Sequence, residues 1–271
     1  MPTHPQLLDW LAVRFVEDGW DVRALIKRMV TSATYRQSAA ASASQRARDP
    51  QNRLLSRGPR FRLDGETLRD QALMLAGLLV RDVGGPPVKP PQPAGLWKAV
   101  GYSSSNTANF RADQGHGKVH RRSLYTFWKR TSPPPQMTTF DAPSREECVV
   151  RRERTNTPMQ ALLLMNDPQY VEAARGFAQR MLDEGGSGDD DRLRWALELA
   201  TCAAPQAPDV ADLGALLDEQ RRVFRAAPAA AKALVTIGVH APSGGVDAAE
   251  LAAWTMVANV VLNLDAVLSK D

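Results

Sequence analysis

Cysteine is scarce in this sequence. The 271 residues include only two, Cys148 and Cys202, which stand 54 positions apart. Two thiols exclude a disulfide-rich scaffold and a four-cysteine zinc site. Neither cysteine precedes a histidine, so the Cys-x-x-Cys-His motif that attaches c-type haem is missing. We therefore expect no cofactor in this chain, and we predict that both cysteines are buried as small apolar side chains.

Long apolar runs are missing as well. No stretch of about 18 apolar residues occurs, so we expect no membrane-spanning helix. The chain starts without the basic leader, apolar segment and small-residue cleavage site of a signal peptide. Either it is cytoplasmic as it stands, or it is the back part of a longer exported chain. The formal net charge of +4 is too small to indicate a nucleic-acid partner.

Over most of the sequence, apolar residues recur at helical spacing. The predicted fold class is therefore mainly α, a multi-helix domain with little β. Asp21 can cap a helix, and Asp64 opens a helix that ends by Gly84. Asp247 opens an apolar helix that continues to Leu268. We predict a single domain over 1–271 with three sub-regions: a helical part over 1–83, an irregular insert over 84–143, and a second helical part over 144–271.

The middle of the chain has a different composition. Five prolines between residues 86 and 93 exclude a regular helix or a central strand there. The segment from Gly101 to Gly117 is typical of a long loop, and Ser123–Trp128 predicts either a short strand or a buried helical turn. Capping-box patterns at Ser144 and Thr157 mark the return of helices.

The insert and the residues after it are basic. Residues 111–154 contain ten Lys and Arg against five Asp and Glu, a local charge of +5. Arginine binds carboxylate, sulfate or phosphate, and aromatic rings stack on sugars or bases. In the alternative, these arginines pair internally with Asp141, Glu146, Glu147 and Glu153. The candidate ligand-binding residues are Arg121, Arg122, Tyr125, Trp128, Lys129 and Arg130.

Titratable residues of the same region are the candidates for catalysis. A glycosidase needs two carboxyl groups held about 5 to 10 Å apart in a cleft, and His-x3-His places two imidazoles on one face of a helix. Gly115 and Gly117 argue against a helix there, and no glutamate follows His116, so we predict exposed loop histidines and no metal site. The candidates are Asp113, His116, His120, Asp141 and Glu146.

Six ordered motifs resemble one known family. Together they are similar to the DUF1553 (PSD1) domain of planctomycete-type proteins, and the resemblance covers roughly residues 2–269. The motifs are His4–Ala12, Thr31–Ser38, Arg57–Leu63, Arg121–Arg130 with Pro133–Pro135, Phe140–Glu146, and Arg154–Leu162 with Leu164–Pro168. His120 departs from the family pattern, in which an apolar or aromatic residue precedes the Arg-Arg pair. Thr201–Pro208 also departs, because a Gly-Arg-Glu-Pro-type turn is usual there.

The resemblance implies an architecture but no activity. In that family the domain usually follows a cytochrome-c-like domain and a DUF1549 domain in large exported proteins. By this resemblance the chain is a C-terminal fragment of a larger protein, and those two domains are its expected partners. Haem then belongs to an upstream domain, and the location is the periplasm or cell envelope.

Two functional hypotheses follow. The first is a noncatalytic binding or assembly module of a larger exported, cytochrome-associated protein, which contacts a glycan, another anionic polymer or a partner protein. The alternative is a carbohydrate-active enzyme with a carboxylate and histidine site between residues 113 and 147.

Overall fold

The computed structural model describes residues 2–101 and 109–270, and its contacts divide the chain into two compact units. The first unit contains the residues up to Phe61 together with those from Ser269 onward, and the second runs from Arg62 to Leu268. The fold is mainly α, which confirms the predicted class. Residues 102–108 of the predicted loop lie outside the described residues.

Short helices build the first unit. Its helices are α1 (Pro5–Glu17), α2 (Val22–Val30) and α3 (Ala43–Arg48). The strands β1 (Phe61–Arg62) and β2 (Ser269–Lys270) form a two-stranded sheet. Pro5 begins α1, where its missing N–H is no loss. The Asp21 carboxylate accepts two backbone N–H groups of α2 at 2.8 and 3.0 Å, which confirms the predicted cap. Ser42 and Gln45 form a reciprocal capping box at α3.

The first two helices carry exposed apolar side chains. Neither α1 nor α2 contains a buried residue. Nine large apolar side chains, each at least 39% exposed, make up what we call the α1–α2 surface: Leu7, Leu8, Trp10, Val13 and Val16 on α1, and Val22, Ile26, Met29 and Val30 on α2. At about 100° of rotation per residue, the five on α1 point to all sides of the helix. Asp9, Arg14 and Glu17 lie between them, so α1 presents a mixture of apolar and charged side chains to its surroundings.

The second unit holds the hydrophobic core. Its helices are α4 (Gly65–Leu75), α5 (Leu96–Val100), α6 (His116–Val119), a 3-10 helix (Ser123–Tyr125), α7 (Pro135–Thr138), α8 (Pro158–Asn166), α9 (Pro168–Glu184), α10 (Asp189–Thr201), α11 (Ala207–Ala226), α12 (Pro228–Val235), α13 (Ala248–Asn263) and α14 (Asp265–Leu268). For the predicted segment Ser123–Trp128, the first half forms a helical turn, the 3-10 helix, whereas Thr126 forms an isolated parallel bridge with Val88.

Helix α13 is the centre of this core. It packs against α9, α11 and α12, and ten of its 16 residues are buried, as is typical of a largely apolar helix inside a core. Asp247 caps it by accepting two of its backbone N–H groups at 3.0 and 3.2 Å, as predicted. The side chain of Trp254 is fully buried and donates its N–H to Glu250 at 2.9 Å. The helix does not continue to Leu268, because the chain turns at Leu264 before α14 begins.

The helix predicted from Asp64 to Gly84 is shorter than expected. It ends at Leu75, and Gly77 adopts a positive φ of 70°. The backbone N–H groups that follow turn back to the carbonyl of Leu73, at 2.8 and 3.1 Å. This turn ends α4 by the helix-terminating geometry that glycine permits. The irregular segment that contains the predicted ligand-binding residues follows this turn.

Two predicted capping boxes, at Ser144 and Thr157, are not formed. Ser144 begins no helix, because Arg145 directly after it has a φ of +64°, which a right-handed helix excludes. Asp64 and Thr157 do precede helices, but neither side chain makes a capping hydrogen bond.

Both cysteines are exposed, so the prediction that they are buried is wrong. Cys202 ends α10 in the left-handed conformation, with a φ of +55°. Cys148 lies in an exposed loop. The two thiols are therefore surface groups and not part of the core.

Candidate functional site

Arg121, a predicted ligand-binding residue, is 7% exposed and binds the protein itself. Its guanidinium donates to the backbone carbonyls of Asp82 and Pro86 at 3.1 Å and of Gly84 at 2.5 Å. It also lies 3.8 Å from the ring centroid of Tyr125, whose hydroxyl accepts the Gly84 N–H at 2.8 Å. Arg121 and Tyr125 therefore hold the start of the proline-rich stretch against the 3-10 helix. We call this arrangement the Arg121 clamp.

A second buried arginine, Arg69, holds the part of the irregular segment from Val119 to Ser123. Arg69 on α4 is 2% exposed and donates four hydrogen bonds. Its acceptors are the carbonyls of Val119 (2.7 Å) and Arg121 (2.9 Å), the Ser123 hydroxyl (3.2 Å) and the Gln169 side chain (2.8 Å). Arginine–carbonyl bonds therefore order the irregular segment together with two isolated backbone bridges, Val80 to Arg121 and Val88 to Thr126.

The remaining predicted ligand-binding residues are more accessible. The side chain of Arg122 is 51% exposed, and its guanidinium is 3.9 Å from the Asp70 carboxylate. Arg130 is exposed and lies 3.6 Å from Glu146. The Glu146 contact matches the alternative in which these arginines pair internally. Pairs as exposed as these contribute little to stability.

Cations already cover the aromatic rings of the segment. The Lys129 ammonium is 4.9 Å from the Trp97 ring centroid, and the Arg145 guanidinium is 4.2 Å from that of Trp128. The Trp128 N–H donates to the carbonyl of Ser144 at 3.1 Å. At least one face of each ring is therefore in use within the protein.

Arg122 and Arg145 both line a cleft of about 740 Å³ in the second unit. The lining combines apolar side chains with charged groups of both signs. The apolar residues are Met74, Leu75, Leu79, Leu124 and Leu199, and the charged ones are Glu66, Asp70, Arg122 and Arg145. A ligand with an anionic group and an apolar body matches this lining.

The predicted catalytic carboxylates are engaged separately. Asp113 accepts the Lys89 N–H at 2.8 Å, and Asp141 accepts both the N–H and the hydroxyl of Thr155. Glu146 lies beside Arg130, as described above. Each carboxylate thus fixes a different loop contact, and none of these contacts joins two of the predicted catalytic residues.

The two predicted histidines do come together. Despite Gly115 and Gly117, a short helix (α6) forms, because Gly115 supplies a start with φ +88° and Val119 is buried. The Nδ1 atoms of His116 and His120 are 2.8 Å apart. His116 is exposed as predicted, but His120 is 1% exposed, so the prediction of an exposed loop histidine is wrong for His120.

Glu172 on α9 lies behind this pair, and its side chain is 2% exposed. One carboxylate oxygen is 3.2 Å from Nε2 of His120. The other accepts the backbone N–H groups of Val239 (2.8 Å) and His240 (2.5 Å). Burial raises the pKa of Glu172. The hydrogen bonds from His120 and the two backbone N–H groups together lower this pKa by more than burial raises it, so the pKa of Glu172 lies below its ordinary value.

Arg175 and His240 complete what we call the histidine cluster: His116, His120, His240, Glu172 and Arg175. The Arg175 guanidinium donates to the carbonyl of His240 and lies 3.8 Å from Glu172. The His240 ring centroid is 5.5 Å from that of His116. Burial lowers the pKa of His116, and the neighbouring His120 and His240 lower it further.

Gly238 allows the chain to approach Glu172 closely. Its φ is +104°, and a Cβ at this position would come within 2.6 Å of Cγ of Glu172. Glycine is therefore required where the 239–240 backbone reaches the carboxylate.

Sequence reasoning missed Glu172, Arg175, His240 and Arg69. Arg175 gave a signal, because it falls within the apolar stripe of α9, near Val171 and Ala178 in helical projection. Glu172 falls on the opposite side of that projection, and His240 stands 120 positions after His120 with no motif around it. No local pattern could have joined these residues.

Two further features are absent from the described residues. No three His, Cys, Asp or Glu side chains stand in a geometry that would hold a metal ion there. Within residues 2–101 and 109–270, every helix is too short or too polar to cross a bilayer.

These features define a mainly α-helical domain in which buried arginines and a carboxylate–histidine cluster order an irregular central segment. A family model, PSD1, described as a protein of unknown function (DUF1553), matches residues 1–217. Because this match covers most of the chain, the protein belongs to the DUF1553 family, as its motifs predict. No curated protein and no solved structure matches the chain.

Proposed function

We propose that this chain is a noncatalytic binding or assembly module of a larger exported protein, in which it acts beside DUF1549 and cytochrome-c-like domains. The observation that carries the proposal is the α1–α2 surface, where nine large apolar side chains are exposed and no residue of either helix is buried. An exposed apolar patch of this kind marks an interaction site.

The distribution of these side chains favours a polypeptide partner. A bilayer interface covers one face of a helix, but the exposed apolar residues of α1 point to all its sides. Packing against other helices encloses such a helix from several directions. Residues 1–61 contain ten Lys and Arg against five Asp and Glu, so an acidic partner surface is the complementary one.

A binding measurement tests the assembly role. The chain is mixed with a purified protein that carries the DUF1549 and cytochrome-c-like domains of the same genome, and complex formation is followed by analytical ultracentrifugation. We expect a complex with the wild-type chain and at least about tenfold weaker binding with the double variant Leu8→Glu, Val13→Glu, because two charges would be buried in the interface.

A matched control separates this surface from exposed apolar residues in general. Val83 in the second unit is 87% exposed, so Val83→Glu is expected to leave the affinity unchanged. Absence of a wild-type complex, or equal binding by the double variant, would contradict the proposal.

A second ligand class, an anionic polymer such as a sulfated or uronic glycan, is supported by the cleft beside Arg122. The nearest carboxylate to the half-exposed guanidinium of Arg122 is 3.9 Å away, so its N–H donors can bind an anionic ligand.

We expect the chain to bind dextran sulfate and not neutral dextran, and we expect Arg122→Gln to weaken that binding several-fold. Arg194→Gln, at an exposed position of α10, is the control. Equal binding of both dextrans would argue against this ligand class.

The alternative of a carbohydrate-active enzyme has less support. A glycosidase requires two carboxyl groups that face one cleft. Asp113, Asp141 and Glu146 each hold a different loop contact instead. Of the predicted catalytic residues, only His116 and His120 meet, and they lack a carboxylate from that set.

A further inference from the structure

Three of the four histidines of the chain meet beside one buried carboxylate. We propose that His116 and His120 bind a divalent transition-metal ion through their Nδ1 atoms, with His240 as the third nitrogen donor. This site is separate from both the α1–α2 surface and the Arg122 cleft.

The spacing of the first two donors fits a metal ion. Zinc–nitrogen distances are about 2.0 to 2.1 Å, so two nitrogens bound at right angles or at a tetrahedral angle are about 2.9 to 3.4 Å apart. The Nδ1 atoms of His116 and His120 are 2.8 Å apart and form a hydrogen bond, which the ion would replace. A shift of a few tenths of an ångström would open this pair to that range. His116 begins α6 and His120 directly follows it, so the four-residue spacing places both rings on the same side.

Glu172 orients His120 for this task. Metal-binding histidines usually direct their second ring nitrogen at a carboxylate or a carbonyl, which fixes the ring and its tautomer. Nε2 of His120 is 3.2 Å from the Glu172 carboxylate, and both side chains are 2% exposed. With the proton on Nε2, the lone pair of Nδ1 faces His116. The Glu172 carboxylate is itself fixed by the N–H groups of Val239 and His240.

His240 lies close enough to supply a third donor. Its backbone is held on both sides, by Glu172 at the N–H and by Arg175 at the carbonyl, while the residue is exposed. As the side chains stand, no three of the described residues form a complete metal site. Rotation of the exposed His240 ring towards His116 would complete it. Exposure of His116 leaves a path for the ion from solvent.

The donor set indicates the class of ion. Imidazole nitrogens suit Zn²⁺, Cu²⁺ and Ni²⁺, whereas Mg²⁺ and Ca²⁺ require oxygen donors. Because the imidazoles must be neutral to bind the ion, affinity is expected to fall as pH falls through the histidine range. Arg175 and Glu172 carry opposite charges, so the cluster behind the donors offers the ion little net charge.

Zinc titration of the chelator-treated full chain tests the site. We expect isothermal titration calorimetry at pH 7 to show one Zn²⁺ per chain. His116→Ala is the principal variant, because this exposed side chain can be removed without disturbing the core, and it should weaken binding at least about tenfold. His4→Ala removes the one histidine outside the cluster and is expected to bind like wild type.

Glu172→Gln tests the positioning role. Outer-shell substitutions weaken metal affinity by about 10- to 100-fold, and the visible spectrum of bound Co²⁺ should change as the His120 ring loses its fixed orientation. Circular dichroism confirms that each variant is folded. Absence of Zn²⁺ binding by the wild type, or binding that His116→Ala leaves unchanged, would overturn the proposal.

Discussion

Replacing Arg69 with methionine is expected to lower the free energy of unfolding by about 3 to 5 kcal/mol. Methionine keeps an apolar stem but removes every donor. The carbonyls of Val119 and Arg121, the Ser123 hydroxyl and the Gln169 side chain then lose a partner in the interior. A buried polar group without a partner costs about 1 to 3 kcal/mol. Urea unfolding followed by far-UV circular dichroism measures the change.

Arg194→Met is the matched control for this substitution. It removes an arginine from the exposed face of α10, so a change within about 0.5 kcal/mol is expected. Arg69→Lys should recover only part of the loss, because an ammonium cannot reach four acceptors in the fork geometry of a guanidinium. A loss below about 1 kcal/mol for Arg69→Met would show that the irregular segment does not depend on this residue.

Replacing Glu172 with methionine is expected to be similarly damaging, at about 3 to 5 kcal/mol. The backbone N–H groups of Val239 and His240 would lose their acceptor, and the buried Arg175 would lose its carboxylate. Glu172→Gln separates the two effects, because its amide oxygen can still accept both N–H groups while the charge is gone. We therefore expect a smaller loss for the glutamine variant in the same urea measurement.

The charge of Glu172 should also be visible in the pH dependence of stability. Its folded-state pKa lies below the ordinary value of 4.5, so the unfolded chain takes up this proton at higher pH than the folded one. The contribution is therefore complete above about pH 4.5 and is lost as pH falls through the folded-state pKa. Between about pH 5 and about pH 3, wild type should lose more stability than Glu172→Gln.

An exposed glutamate supplies the control for the pH series. Glu219→Gln on α11 should give a curve parallel to that of wild type. Parallel curves for wild type and Glu172→Gln would instead mean that the buried carboxylate has the same pKa in both states, against the prediction.

Local signals predicted the helices well. Helix α9 spans Pro168–Glu184, and the sequence displays its start, because Asp167 and Pro168 form a local start signal. Asp21 and Asp247 were predicted as caps for the same reason, and both accept backbone N–H groups. These features depend on residues within one helical turn of each other, which a single sequence displays.

The site was harder to predict because its contacts are long-range and use backbone acceptors. The pattern of His116 and His120 is local and was recognised, but Glu172 and His240 join it only through folding. Arg121 was predicted to bind a ligand because it belongs to a segment rich in arginine and aromatic residues. Its actual acceptors are three carbonyls of the proline-rich stretch. Every residue has a backbone carbonyl group, so the sequence does not show which carbonyls will accept a hydrogen bond from an arginine.

The Arg121 clamp has a consequence for how this part of the protein can diverge. The guanidinium donates to the main-chain carbonyls of Asp82, Gly84 and Pro86, which every residue type supplies, and it lies against the ring of Tyr125. Evolution is therefore free to exchange Asp82 for other residues at little cost. A change at Arg121 would remove three contacts of this stretch at once, whereas the backbone hydrogen bonds of Val88 would remain. We therefore expect tolerance to mutation to be distributed unevenly between the two sides of this contact.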